Sequence, residues 1–166
     1  MEEAIRPELR TCIQHIVSSV QAKIGVPIVA MTRITADRQH ILVNHGANLP
    51  EPFAQAIPLS HSICQHVVAM DFPLVVDDAL AHPLIRNNGA VTELGIAAYL
   101  GAPLHYDRIR ARGSLCAVDM HRRRWSRDDV STVLNAARQI NQMISGEREI
   151  CDQDTRPPSR CQPMTG

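Results

Sequence analysis

The sequence predicts an α+β fold, an antiparallel β-sheet with its helices segregated mostly to one side. Three observations point there. Apolar residues recur at three- and four-residue steps near each end of the chain, which marks two amphipathic helices. Between them the order runs hairpin, short helix, short strand, irregular insert and two further strands. The 166 residues, 45% hydrophobic and 20% charged, supply enough apolar material for one compact core and argue against wholesale disorder.

Ile5, Leu9, Cys12, Ile13, Ile16, Val17, Val20 and Ile24 make one stripe, predicting a helix over residues 6–24 with Pro7 in its first turn and Gly25 as its stop. Residues 26–35 and 40–46 are β-rich and flank Ala36-Asp37-Arg38-Gln39, which reads as an antiparallel hairpin. Residues 48–58 carry three prolines and read as loop. Within 60–70, Ile63, Val67 and Met70 suit a short helix. Pro73 then precedes Leu74-Val75-Val76, a short buried strand closed by Asp77-Asp78. Residues 79–95 mix Asn87-Asn88-Gly89 with Val91 and Leu94, as expected of a loop holding one or two helical turns.

Residues 96–106 and 113–120 give two more strands joined by an arginine-bearing connection. Ser126 opens the last helix, with Asp129 three residues on as an acidic capping box and Trp125 set to staple against Val130. Val130, Val133, Leu134, Ala137, Ile140 and Ile144 carry its stripe to about Ser145. After Gly146 the pattern stops, so the domain is expected over residues 1–146 and a disordered tail over 147–166. The two end helices are expected to lie together on one sheet face and to support a homodimer. No internal repeat is present.

Composition narrows the function. Lys and Arg total 17 against 17 Asp and Glu, so the formal charge is zero and no global electrostatic role is indicated. No apolar run reaches the length of a membrane span, and Met1-Glu2-Glu3 is the opposite of a signal peptide's basic leader, so a cytoplasmic, membrane-free protein is expected. Five aromatic residues are too few to form the stacking platforms of a single-strand nucleic-acid binder. Five cysteines with no C-x-x-C spacing argue against a disulfide framework or a zinc ribbon and for free thiols.

Several runs in register then carry a resemblance: Ser62-Ile63-Cys64-Gln65-His66-Val67-Val68, Pro73-Leu74-Val75-Val76-Asp77-Asp78-Ala79, and the stretch 94–104 with Gly101-Ala102-Pro103-Leu104. Gly113-Ser114-Leu115-Cys116-Ala117-Val118-Asp119, Arg124-Trp125-Ser126 and the last helix complete it. Over residues 60–145 the sequence resembles the GAF domain family. The resemblance implies a PAS-like central antiparallel sheet, a ligand pocket on one face roofed by the irregular insert, and a module that senses a small molecule and passes its state on. Two departures stand out. The turn at 107–112 has no glycine, which demands another turn geometry. The chain also ends about twenty residues after the domain, so any signal is expected to leave through a separate output protein or through the dimer.

The pocket candidates are Cys64, Asp77, Asn88, Tyr99 and Cys116, and each has a plainer reading. Asp77 with Asp78 caps a turn, Asn88 forms one, Tyr99 packs in the core, and the cysteines act as small buried hydrophobes. His61, Cys64 and His66 do not converge on a metal, since residues 64 and 66 point about 200° apart on a helix. Thiol-redox chemistry needs an attacking and a resolving thiol close together. Some GAF proteins resemble free methionine-R-sulfoxide reductases, but their working cysteines lie in a region matching residues 65–115, which here hold none. The same gap disfavours bilin. Cyclic nucleotide is disfavoured because Lys23 is the only lysine and no phenylalanine follows Phe72. Haem is disfavoured because neither His82 nor His105 stands out as its axial ligand.

Arg108, Arg110, Arg112, Arg122, Arg123, Arg124 and Arg127 concentrate positive charge on one edge, where Arg122, Arg123 and Arg124 are candidates for an anionic partner. The plainer reading is a solvated face in an arginine-biased chain. The expected function is therefore a non-enzymatic small-ligand sensor. The alternatives are a degenerate GAF fold serving as a protein-interaction module and a thiol-redox enzyme.

Overall fold

The computed structural model describes residues 5–154 apart from 48, 52 and 108, and within 147–154 the backbone alone. Helix α1 (Pro7–Ile24) begins with proline, whose missing N–H costs nothing in a first turn. It ends at Gly25, which takes φ 74° and returns its N–H to the Gln21 carbonyl. Strands β1 (Ile28–Ile34) and β2 (Arg38–Gly46) form the expected hairpin, with a bulge between Met31 and Thr32. Residues 56–58, expected as loop, instead make a three-residue strand β3 (Ala56–Pro58) on the outer edge of β2. An edge strand tolerates Pro58, and so short a strand leaves no alternation to read.

A 3-10 turn (Leu59–His61) and helix α2 (Cys64–Met70) lead to strand β4 (Leu74–Val76). The insert contains one short helix, α3 (Gly89–Thr92). Strands β5 (Ala98–Leu104) and β6 (Gly113–Asp119) and helix α4 (Arg127–Asp154) follow. The six strands lie in the order β3-β2-β1-β6-β5-β4, every neighbouring pair antiparallel.

The period of two divides the sheet into two cores. Val29 and Met31, Ala98, Leu100, Ala102 and Leu104, and Leu115 and Ala117 face one way, packed with buried residues of α1 and α4. Ile28, Ala30, Tyr99, Cys116 and Val118 face the other way, toward α2 and the insert. Each fully buried aliphatic side chain contributes about 1.5–3 kcal/mol. Leu9, Ile13, Val17, Val20 and Ile24 therefore hold α1 to the sheet far more strongly than its helix propensity could.

At the start of α4 the capping box forms as expected: Asp129 N–H donates to Ser126 Oγ at 3.0 Å and Ser126 N–H to Asp129 Oδ2 at 3.1 Å. Trp125 is buried in the same core and donates its indole N–H to the Val76 carbonyl at 2.9 Å. The expected end of this helix near Gly146 is corrected, because α4 runs on to Asp154. A single helical glycine costs about 1 kcal/mol, and the good helix formers Glu147, Arg148 and Glu149 follow it. The rest of the expected tail, 155–166, lies outside the described residues.

The glycine-free turn between β5 and β6 is held by a carboxylate. Asp107 Oδ1 accepts the N–H of both Ile109 and Arg110 at 3.0 Å, and Oδ2 accepts Arg112 Nε at 2.9 Å. These bonds lower the Asp107 pKa to about 2.

Candidate functional site

The sheet face turned away from α1 and α4 is not filled to the roof. Between it and the insert lies a cavity of about 70 Å³, several times what one buried water requires. Ile28, Ala30, Tyr99, Cys116 and Val118 form its floor, and Ile57, Ile63, Ala90 and Leu94 are among the residues that close it. Polar groups are few: Gln39, Asn44, His61, Cys64, Tyr99 and Cys116. Gln39 is already engaged, its Oε1 accepting the buried Ser62 hydroxyl. Such a lining suits a small, largely uncharged molecule.

Three of the five pocket candidates meet here. Cys64, first residue of α2, and Cys116, mid-strand in β6, both line the cavity as free, buried thiols. The Tyr99 hydroxyl donates to Cys64 Sγ at 3.1 Å and lies 3.4 Å from Ser114 Oγ. Tyr99 can reach them because Gly101, two residues on and on the same face, has no side chain; a Cβ there would overlap the phenol. Gly101 pairs directly with Cys116, so the phenol is laid across the strand toward both thiols.

Electrostatics separates the two sulfurs. Hydrogen bonding from Cys116 is the largest influence on Cys64, and with Tyr99 it outweighs burial and brings the Cys64 pKa down to about 7. Donating to Cys64, and then burial, push the Cys116 thiol well above its ordinary value. Burial likewise keeps the Tyr99 phenol protonated. One thiolate can form, with the Tyr99 hydroxyl donating to it.

Asp77 and Asn88 are corrections, since neither lines the cavity. Asp77 is exposed at the end of β4, where its Oδ1 accepts the Trp125 N–H at 3.1 Å. Asn88 caps α3, accepting the Ala90 N–H at 2.9 Å and donating to the Ser62 carbonyl at 3.0 Å. Short polar side chains at element ends serve nearby backbone first.

The arginine candidates also part company. The Arg123 guanidinium is half-buried, donates to the Ile24 carbonyl at 2.6 Å, lies within 3.7 Å of both Asp119 and Asp129, and stacks over Trp125. Arg122 is exposed, 3.4 Å from Asp78, and Arg124 is exposed. Arg123 is thus a strut between α1 and α4, and the three do not act as one edge.

His61 is the residue that sequence reasoning weighed only as a metal ligand. It stands at the cavity wall, stacked on Phe53 at 5.2 Å, with Ser60 Oγ 2.8 Å from Nδ1 and Glu93 Oε2 2.7 Å from Nε2. Its ring packs against Gly89, where a Cβ would overlap it. Among the described residues no group of three His, Cys, Asp or Glu could hold a metal ion, and no helix is long and apolar enough to cross a membrane.

The sequence model of the GAF domain matches residues 8–144. The chain belongs to the GAF domain family. No curated protein sequence matches it. Among solved structures it is similar to the free methionine-R-sulfoxide reductase of Neisseria meningitidis in complex with its substrate, at 16% identity and TM-score 0.69, covering 90% of this chain and 83% of that one. The GAF domain of an Acinetobacter phosphoenolpyruvate-protein phosphotransferase aligns at 16% identity and TM-score 0.66, covering 87% and 86%. The blue-light absorbing form of the Thermosynechococcus elongatus PixJ GAF domain aligns at 12% and 0.65, covering 90% and 95%. Identities this low carry the fold alone. This GAF domain thus shares its architecture with GAF domains of other proteins and with a reductase.

Proposed function

We propose that this GAF domain is a non-enzymatic sensor whose cavity takes a small, largely uncharged molecule and whose state passes to a partner protein or across a homodimer. The observation that carries the reading is the largely apolar cavity under the insert, on the sheet face opposite the end helices. A ligand there touches both the roof and the floor strands β1, β5 and β6, whose opposite faces carry α1 and α4. Occupancy can therefore bias the helix pair through the sheet.

The experiment is a thermal-shift screen against small metabolites, repeated with Ala54→Leu, which fills the cavity from a half-buried position on its wall. A ligand at a hundred times its Kd adds about 2.7 kcal/mol of stability. A shift in the parent protein that Ala54→Leu removes supports the reading. No shift with any compound, together with a monomer in solution, overturns it. Cys64-dependent turnover of free methionine-R-sulfoxide would replace the sensor by an enzyme.

A further inference from the structure

Two free thiols from distant parts of the chain, Cys64 on α2 and Cys116 on β6, are neighbours in the wall of one cavity. The Tyr99 hydroxyl donates to the first of them at 3.1 Å. Among the described side chains the remaining cysteine, Cys12, is exposed on α1. A buried thiol is ordinarily inert because solvent oxidants do not reach it. Here the space in front of both sulfurs admits a molecule of water's size, and hydrogen peroxide is little larger.

We propose that Cys64 and Cys116 form a peroxide-responsive dithiol that closes to an intramolecular disulfide inside the cavity. Cys64 sulfur attacks one peroxide oxygen, so that a sulfur–oxygen bond forms, the oxygen–oxygen bond breaks, and the departing oxygen leaves as water after taking a proton. Cys116 sulfur then attacks the Cys64 sulfenic acid. The sulfur–sulfur bond forms, the sulfur–oxygen bond breaks, and the hydroxide leaves with the Cys116 proton as a second water. Two thiols lose two electrons in all, one peroxide gains them, and an external thiol reverses the change. Tyr99 has a positioning role: its hydroxyl donates to the Cys64 sulfur and favours the thiolate that starts the sequence. Both S–H bonds are lost on closure, so the closed state removes two ionisable hydrogen-bond donors from the cavity lining.

The test treats the full chain carrying Cys12→Ser, Cys151→Ser and Cys161→Ser with hydrogen peroxide and follows it by intact mass and peptide mapping. The expected result is loss of two hydrogens per chain, a linked pair of peptides containing residues 64 and 116, recovery with dithiothreitol, and no linked pair in a further Cys64→Ser variant. Retention of both thiols overturns the proposal, and so does sulfinic acid at either cysteine without the link. Mapping of the unsubstituted chain decides independently of whether the variants fold, because linked peptides are identified by their own sequences. There, links confined to Cys12, Cys151 or Cys161 would overturn it as well.

Discussion

The phenol of Tyr99 lies across Gly101 and donates its proton to the sulfur of Cys64 at 3.1 Å, joining the start of β5 to the first turn of α2. Removing that proton is a clean change, because Tyr99→Phe keeps the ring and its packing. The loss of one buried hydrogen bond is expected to cost about 1 kcal/mol, read from chemical denaturation. It also takes away one of the groups that lower the Cys64 pKa from its ordinary value to about 7. The titratable groups near this thiol are Tyr99 from β5 and Cys116 from β6, with Tyr106 farther off. In the parent protein, peroxide oxidation should accelerate as pH rises through about 7. In Tyr99→Phe the rise should move to higher pH, slowing the reaction at neutrality about tenfold for each unit that the thiol gains. An unmoved profile would show that the phenol has no hold on Cys64.

Gly101 should resist substitution for the same geometric reason. A methyl group at Gly101→Ala would overlap the Tyr99 ring and hydroxyl, and Tyr99 is itself fully buried. Overpacking of this kind costs about 1–3 kcal/mol. A variant with unchanged melting temperature would mean that the ring can leave its slot freely.

These relationships differ in how far the sequence discloses them. Tyr99 and Gly101 stand two apart on a strand, so their shared face is legible, and so are the apolar stripes of α1 and α4 and the Ser126–Asp129 cap. Each is a local pattern whose period or spacing survives in the linear chain. The strand at 56–58 is not legible, because three residues among prolines carry no alternation. The continuation of α4 past Gly146 is not legible either, because a glycine that a helix tolerates looks the same in sequence as one that stops it. At the site, the sequence offers both Cys64 and Cys116, yet their meeting in one cavity wall depends on how α2 packs against β6, a long-range outcome with no local signature. Asp77 and Asn88 lie off the cavity lining, and their sequence does not say so, because a carboxylate or amide at an element end looks the same whether it faces a ligand or caps a backbone.

The arginine run makes a graded prediction. Arg123→Ala breaks the bond to the Ile24 carbonyl and the contacts with Asp119, Asp129 and Trp125, and is expected to cost about 2 kcal/mol. Arg122→Ala and Arg124→Ala, at exposed positions, should each stay within about 0.5 kcal/mol of the parent. Lysine at 123 should not restore the loss, since a point charge cannot serve several acceptors and stack on an indole at once. Equal effects at all three positions would contradict the strut assigned to Arg123.

Gly89 sets the position of the His61 ring and so the shape of the cavity wall. Gly89→Ala puts a methyl group into the imidazole, which is held at both nitrogens by Ser60 and Glu93 and on one face by Phe53. The ring must give up one of these contacts, and the expected cost is about 1–3 kcal/mol, reduced by the better helix propensity of alanine in α3.

The Asp107 carboxylate provides a pH test of the β5–β6 turn. Its pKa in the folded chain is about 2, below the 3.8 of a free side chain, because two backbone N–H groups and Arg112 favour the charged form. A lowered pKa of this sign gives stability that is complete above the unfolded value and is lost as pH falls through the folded one. The turn should therefore hold from neutral pH down to about 3.8 and loosen between there and about 2. Hydrogen exchange at the Ile109 and Arg110 amides reads this directly, since both donate to Asp107. Protection that falls over this interval in the parent, and is already low at neutral pH in Asp107→Ala, is the expected outcome. Unchanged protection in Asp107→Ala would mean that the turn keeps its shape without the carboxylate and that the missing glycine needs another explanation.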